Sequence, residues 1–190
     1  MKLEEYEKRV ILPHEHTSEE VKQDRLALME ACNANFSPIM CLYQDEQSVL
    51  EDMYRDVMTS PPSVTIADSE SWLYDIWVIK EKSLIDQLTA ILESKSVYIA
   101  DGHHRYETAL MYRDRLRSHN LESWDEAEQA NFIMAELCNI KDSGLMVLPY
   151  HRIVSGLEKS AIKKIQSRLQ QMFHIEFVAE NRQVDLNHLV

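Results

Sequence analysis

An abrupt change in character at residue 101 constrains the fold of this chain more than any other feature. The apolar run Val97–Ala100 is typical of a buried β-strand, and a helical pattern extends from Gly102 to Ser118. A short polar segment joins the two, with the sequence Asp101-Gly102-His103-His104-Arg105. A strand that runs through a tight polar turn into a helix is a building unit of layered α/β proteins.

Strand and helix patterns alternate along the rest of the chain. Strands are predicted at 8–12, 36–43, 64–66, 73–80, 96–100, 131–138, 146–149 and 174–178. Helices are predicted at 17–34, 46–58, 83–92, 102–118, 124–129 and 160–173. In the first of these, Thr17 is the expected N-cap and Glu20 closes a capping box. We therefore expect one α/β domain over residues 1–190, with a mixed sheet, flanking helices and an internal loop at 59–71; an α+β arrangement is the alternative.

Composition narrows the classes of function. The formal net charge of −12 disfavours nucleic-acid binding, because a phosphate backbone repels an acidic surface. No apolar run approaches the roughly 20 residues of a membrane helix, and the first residues lack the apolar region of a signal peptide. The cysteines Cys32, Cys41 and Cys138 are isolated from one another and lie beside apolar residues, which predicts buried, reduced thiols. These features predict a cytoplasmic protein without a membrane partner.

Glycine is rare, and its positions are informative. The three glycines, Gly102, Gly144 and Gly156, lie far apart in the sequence, so there is no P-loop and no G-x-G-x-x-G cradle. Gly102 follows a predicted strand, at the sheet edge where ligands of α/β proteins collect. The amino end of the following helix suits a phosphate, Arg105 can hold phosphate in a bidentate manner, and Asp101 can bind Mg²⁺ or accept a proton. The alternative is that Asp101 is only an N-cap and Gly102 only a turn residue.

Three further polar clusters are candidates for the same site. In an extended segment His14 and His16 point the same way and could share a metal, but no third ligand is apparent; Glu15 between them is a candidate site carboxylate, and a polar loop is the alternative. Arg25 could reach an anion at the site, although a solvated helix face is the commoner outcome. His151 and Arg152 follow an apolar strand pattern and are candidates for a second pocket wall.

Several of these segments together resemble a known family. They are His14-Glu15-His16-Thr17, Lys22-x-Asp24-Arg25, Ser37-Pro38, Leu73–Val78, Ile99–Arg105 and Leu148-Pro149-Tyr150-His151-Arg152. In this order they resemble domain-of-unknown-function family 1015 over nearly the whole chain. The resemblance implies that the chain is a fragment of a longer protein and lacks its N-terminal part.

The turn is also similar, as a motif only, to the phosphate-gripping turn of the ParB/sulfiredoxin superfamily, which includes free-serine kinases and CTP-binding partition proteins. This similarity implies nucleotide binding by Gly102, His103, His104 and Arg105, and a base that we match to Glu15. Sulfiredoxin needs a cysteine in this turn. His103 stands at that position here, so sulfiredoxin chemistry is not expected.

The expected function is a nucleotide-dependent phosphotransferase acting on a small hydroxylated metabolite, with free serine as the specific acceptor. Glu15 and Asp101 would be the catalytic residues, Asp101 would bind Mg²⁺, and no zinc is expected. His14, His16, His151 and Arg152 would line the substrate pocket. Two alternatives stay open: a ParB-like nucleotide-binding regulatory module without turnover, and an inactive truncated family member.

Overall fold

The computed structural model describes residues 1–120, 122–148 and 154–175. These residues fall into two compact units, one from Met1 to Met146 and the other from Val147 onward. The first unit contains six strands and four helices, and the second contains one described helix, α5 (Lys159–Met172). Within the described residues, no helix is long and apolar enough to cross a membrane.

A four-stranded mixed sheet forms the centre of the first unit, in the order β1-β5-β2-β6. Strand β5 (Val97–Asp101) lies between β1 (Ile11–Leu12), to which it is parallel, and β2 (Ile39–Tyr43), to which it is antiparallel. Strand β6 (Ala135–Asn139) is parallel to β2. The expected mixed α/β sheet is confirmed, and β5 is an interior strand that leads directly into a helix.

Apolar residues on the strands pack against one long helix to form the core. Helix α4 (His103–His119) follows β5, and α1 (Glu19–Cys32) packs beside it. The core residues are Leu3, Ile11, Ile39, Cys41, Val97, Ile99, Tyr106, Ala109, Leu110 and Ile133. Since β5 and α4 both contribute to this cluster, the turn between them is held from both sides.

A two-stranded hairpin forms a separate small sheet. Strand β3 (Val64–Ala67) pairs antiparallel with β4 (Leu73–Ile76), and all eight residues are exposed. The predicted strand at 73–80 therefore ends four residues early. Beyond Ile76 the chain makes other bonds: the Trp77 indole donates to the Ser60 carbonyl and the Val78 amide donates to the Ser63 hydroxyl. The loop predicted at 59–71 does contain the expected short strand, as β3.

The helices between these strands lie close to their predicted places. Helix α2 (Val49–Met58) precedes the hairpin and α3 (Lys82–Glu93) follows it. The predicted capping box of α1 is wrong: Ser18 is the residue before the helix, and it makes no side-chain cap. The Thr17 hydroxyl donates instead to Glu107 of α4, because the packing of the two helices offers it a carboxylate.

Several other predictions need correction. The helix predicted at 124–129 is absent, since Asp125 accepts the Ala127 amide in a tight turn, and a short 3₁₀ helix follows at Gln129–Asn131. Residues 146–148 and 174–175 are not strands, and the remainder of those two predicted strands lies outside the described residues. Cys41 is buried as expected and Cys138 is half-buried, but Cys32, the last residue of α1, is exposed.

Candidate functional site

The junction between β5 and α4 is a single-residue turn. Asp101 ends the strand, Gly102 has a φ of 98°, and α4 begins at His103. A Cβ at Gly102 would lie 2.8 Å from Cγ2 of Ile39, so glycine is needed for both the positive φ and the close approach to β2. The first-turn amides of α4 have no intrahelical acceptor, and Gly102 offers no side chain to cap them.

Arg105 is bonded within the protein. Its Nη2 lies 2.5 Å from Oδ2 of Asp101, and its Nη1 donates to the Ser37 hydroxyl at 3.0 Å and to the Pro38 carbonyl. The Arg105 side chain is 23% exposed, whereas that of Asp101 is 73% exposed. Arg105 thus ties the start of α4 to the segment before β2, and Asp101 keeps its other carboxylate oxygen open to solvent.

His103 is buried, and its ring is fixed by a bond to His14. Nε2 of His103 accepts the His14 amide hydrogen at 3.1 Å, so in the neutral ring the proton lies on Nδ1. The two imidazole rings meet edge to face, with centroids 4.5 Å apart. Burial and the neighbouring His14 lower the pKa of His103 below its ordinary range. Any interaction of His103 with a ligand at this turn would therefore use its backbone amide rather than its ring.

Glu15 lies beside the buried histidine. Its carboxylate oxygens lie 3.5 Å from Nδ1 of His103 and 3.9 Å from Nε2 of His14, and the side chain is 61% exposed. His14 is anchored in turn, because its Nδ1 donates to the Ile99 carbonyl at 2.8 Å. The structure thus brings His14 and Glu15 to the turn from a distant part of the sequence, and leaves the Glu15 carboxylate facing outward.

The remaining predicted residues have different outcomes. Nε2 of His104 accepts the Ser18 amide hydrogen at 3.0 Å, which ties the starts of α4 and α1 together. His16 is exposed and makes no hydrogen bond or ion pair with any described residue. His151 and Arg152 lie outside the described residues, so their place in a pocket stays a prediction.

Sequence reasoning missed one residue beside the site, Glu107. Its carboxylate accepts the Thr17 hydroxyl and lies 3.1 Å from Nζ of Lys22. Its position one helical turn after His103 was the available signal, because residues four apart share a helix face. Glu107 thus links α4 to α1 on the side where His104 also makes contact.

Metal ligands are sparse at this turn. Among the described residues no group of three or more His, Cys, Asp or Glu side chains could hold a metal ion. In particular, Nδ1 of His14 is used for the bond to the Ile99 carbonyl. The side chain of His16 forms no hydrogen bond with His14. Asp101 and Glu15 are the carboxylates that remain accessible.

A wide, open cavity lies away from the turn. It measures about 610 Å³ and lies near the start of β5, where Lys95, Ser96 and Tyr98 line it. Its main charged groups already have partners: Asp45 lies 3.3 Å from Lys95 and accepts the Leu50 amide, which lowers the pKa of this aspartate. None of the candidate residues that the structure describes lines it, so size alone does not mark the site.

Comparison with known proteins gives the family. A family model described as "Protein of unknown function (DUF1015)" matches residues 1–188. No curated protein and no solved structure matches the chain. The match spans both described units and includes the whole β5–α4 junction. The chain therefore belongs to the DUF1015 family of proteins of unknown function.

Proposed function

We propose that this protein binds a nucleotide through its phosphates at the amino end of α4 and transfers a phosphoryl group to the hydroxyl of a small metabolite, with free serine as the specific acceptor. One observation carries the proposal: an interior strand enters a helix through Gly102 and leaves the first-turn amides uncapped. Such amides, together with the helix dipole, bind phosphate oxygens. The similarity of the turn to that of free-serine kinases supports the same assignment.

Glu15 is the proposed general base. Its carboxylate is accessible and lies 3.5 Å from Nδ1 of His103, at the edge of the turn. In the transfer, the acceptor oxygen forms a bond to the terminal phosphorus while the bond from that phosphorus to the nucleotide's bridging oxygen breaks. The acceptor hydroxyl gives its proton to Glu15. Preorganised amides at the helix end would stabilise the charge on the phosphoryl oxygens.

Asp101 is the residue that fits a magnesium ion. Mg²⁺ in phosphoryl-transfer sites is held by one or two carboxylates together with phosphates and water, and neutralises charge on the phosphates. Asp101 uses one carboxylate oxygen for Arg105 and has the other open, which suits such a site. Arg105 would orient this carboxylate and keep the turn close to Ser37.

A nucleotide-binding regulatory module without turnover is the second candidate. The bond between Asp101 and Arg105 favours it, because an aspartate held by an arginine can serve the turn without taking part in chemistry. Such a module would give the same binding result as the kinase but would show no phosphorylated metabolite.

The first test is binding. The unfolding temperature of the full chain is measured with ATP, ADP or CTP, each with and without Mg²⁺. We expect at least one nucleotide to raise it in a Mg²⁺-dependent way, since a ligand of the native state stabilises that state. Adenosine, which lacks phosphates, is the control. The proposal is contradicted if none of the nucleotides raises the unfolding temperature.

The second test is turnover on free serine with Asp101→Asn. We expect the rate to fall by roughly 100-fold or more and the affinity for the nucleotide with Mg²⁺ to fall by much less, because the lost interaction acts mainly in the transition state. Asp52→Asn is the matched control, since Asp52 is also exposed and also pairs with an arginine, Arg55. Binding without any turnover in the wild type identifies the regulatory module instead.

A further inference from the structure

A small cavity lies between α1, α4 and the segment that precedes β2. Its volume is about 80 Å³. The polar groups that line it are Arg25, Asn35, Ser37, Arg105 and Thr108. None of the lining residues is acidic, although the chain has 32 acidic residues and only 20 basic ones. This composition favours an anionic occupant.

The Thr108 hydroxyl provides a second, independent indication of a ligand. Thr108 is 1% exposed, and its Oγ1 has no hydrogen-bond partner among the described residues. A buried polar group without a partner is costly, and native proteins rarely keep one. Thr108 is one of the residues that line the cavity, which makes a polar atom bound there a candidate partner for this hydroxyl.

The charged side chains that line the cavity suit a ligand with a single negative charge. Arg25 forms no ion pair or hydrogen bond with any described residue, so its charge is not neutralised. The charge of Arg105 is balanced by Asp101. The net available charge is therefore one positive, which matches a carboxylate better than a phosphate carrying about −1.5 to −2.

The size and the apolar walls indicate a short carbon chain. A cavity of roughly 150 Å³ accepts benzene, which has six non-hydrogen atoms, so one of about half that volume encloses about three. The cavity is open on one side, so the remaining atoms of a slightly larger ligand would lie at its mouth. Leu28, Met29 and Phe36 form apolar parts of the wall. These residues would contact the carbon skeleton of a bound acid.

We propose that this cavity binds a short monocarboxylate, of the size of acetate or glycolate. The carboxylate pairs with the Arg25 guanidinium and accepts the Ser37 hydroxyl hydrogen, which is free because the Ser37 oxygen already accepts from Arg105. The Thr108 hydroxyl bonds to the innermost oxygen. The site needs neither nucleotide nor Mg²⁺, so it stands or fails independently of the proposed phosphotransfer.

The test is a calorimetric titration of the full chain with sodium acetate and sodium glycolate at constant ionic strength, without nucleotide. Acetamide is the neutral control, and sodium phosphate is the competing anion. We expect saturable binding of the carboxylates and binding of acetamide weaker by about tenfold or more, since charge-assisted hydrogen bonds are lost. The proposal is overturned if neither carboxylate gives saturable binding. It is also overturned if phosphate binds more tightly than the carboxylates.

Two variants locate the binding in this cavity. Arg25→Gln should weaken acetate binding about tenfold, whereas the matched Arg55→Gln on α2 should leave it unchanged. Thr108→Val should raise the unfolding temperature of the free protein, because it removes an unpaired hydroxyl, and should reduce the stabilisation by acetate. Equal effects of Arg25→Gln and Arg55→Gln would assign the binding to general surface charge and overturn the proposal.

Discussion

At the β5–α4 turn, polar side chains are divided between internal bonds and open positions. His103 and Arg105 use their side chains to hold His14, Asp101 and the segment before β2. Glu15 and Asp101 keep most of their surface in solvent. The His103 and Arg105 side chains thus hold the turn together, whereas the carboxylates of Glu15 and Asp101 remain accessible from solvent.

Gly102→Ala tests how tightly the turn is packed. We expect it to lower the free energy of unfolding by about 2–3 kcal/mol, because alanine at this positive φ is strained and its Cβ would overlap Ile39. Urea denaturation measures the loss. Gly156→Ala is a control for strain alone, since Gly156 also has a positive φ but no atom lies within 4 Å of an added Cβ. Equal losses in the two variants would contradict the packing argument.

His103 makes stability depend on pH. Its folded-state pKa is lowered, so below about pH 6.5 the unfolded state binds more protons than the folded state. This contribution to stability is therefore complete above pH 6.5 and is lost as the pH falls below that value. His103→Gln removes the titration and keeps an acceptor for the His14 amide.

The measurement is urea denaturation of both proteins between pH 8 and pH 5, a range chosen to bracket the ordinary histidine pKa of about 6.5. We expect the wild type to lose more unfolding free energy than His103→Gln on acidification. Parallel loss in the two proteins would show that other groups account for the acid sensitivity.

The packing of α1 on α4 is the main contact between helices in the first unit. It includes the bonds from Thr17 and Lys22 to Glu107, and the bond from the Ser18 amide to His104. On α4 these contacts use residues of the first two turns. On the α1 side they use the first turn and the two residues that precede the helix. This interface positions the start of α4, and with it the uncapped amides.

Glu107→Gln tests the polar part of this interface. We expect a loss of about 1 kcal/mol in unfolding free energy, because the carboxylate is partly buried and Lys22 would keep only Glu19 as its ion-pair partner. Thermal and urea unfolding measure the effect. Glu126→Gln is the control: Glu126 pairs with Lys2 on the surface, and its loss should have no measurable effect. A smaller effect at Glu107 than at Glu126 would be inconsistent with a stabilising interface.

The described residues of the candidate site and of the core lie in one of the two compact units. All residues of the core cluster lie between Leu3 and Ile133, and the described site residues lie between His14 and Glu107. The unit from Val147 onward contributes none of them. The first unit thus contains a complete core of its own.

A protein ending at Met146 should therefore fold by itself. We expect a single cooperative unfolding transition in urea, and dispersed amide signals in its NMR spectrum, since the core cluster and the four-stranded sheet are retained. A protein ending at Lys95, which lacks β5 and α4, is the control and should be unfolded. A broad, non-cooperative transition of the longer protein would contradict the independence of this unit.

Local patterns in the sequence were enough to predict the path of the chain through the candidate site. The apolar run before Asp101 and the periodicity after Gly102 predicted an interior strand that passes directly into a helix. These features depend on residues next to one another, because the period of apolar side chains follows the backbone geometry of each element. Its position between two histidines made Glu15 a candidate carboxylate, but the sequence did not give its distance from His103.

Only the tertiary structure decided which polar groups pair. Thr17 has the residue type of a helix cap, yet its hydroxyl bonds to Glu107, and Arg105 has the residue type of a phosphate ligand, yet it bonds to Asp101 and Ser37. The hairpin ended earlier than its apolar pattern indicated, because Trp77 and Val78 found partners at Ser60 and Ser63. A hydrogen bond requires atoms within about 3 Å of each other, and packing alone determines which distant residues come that close.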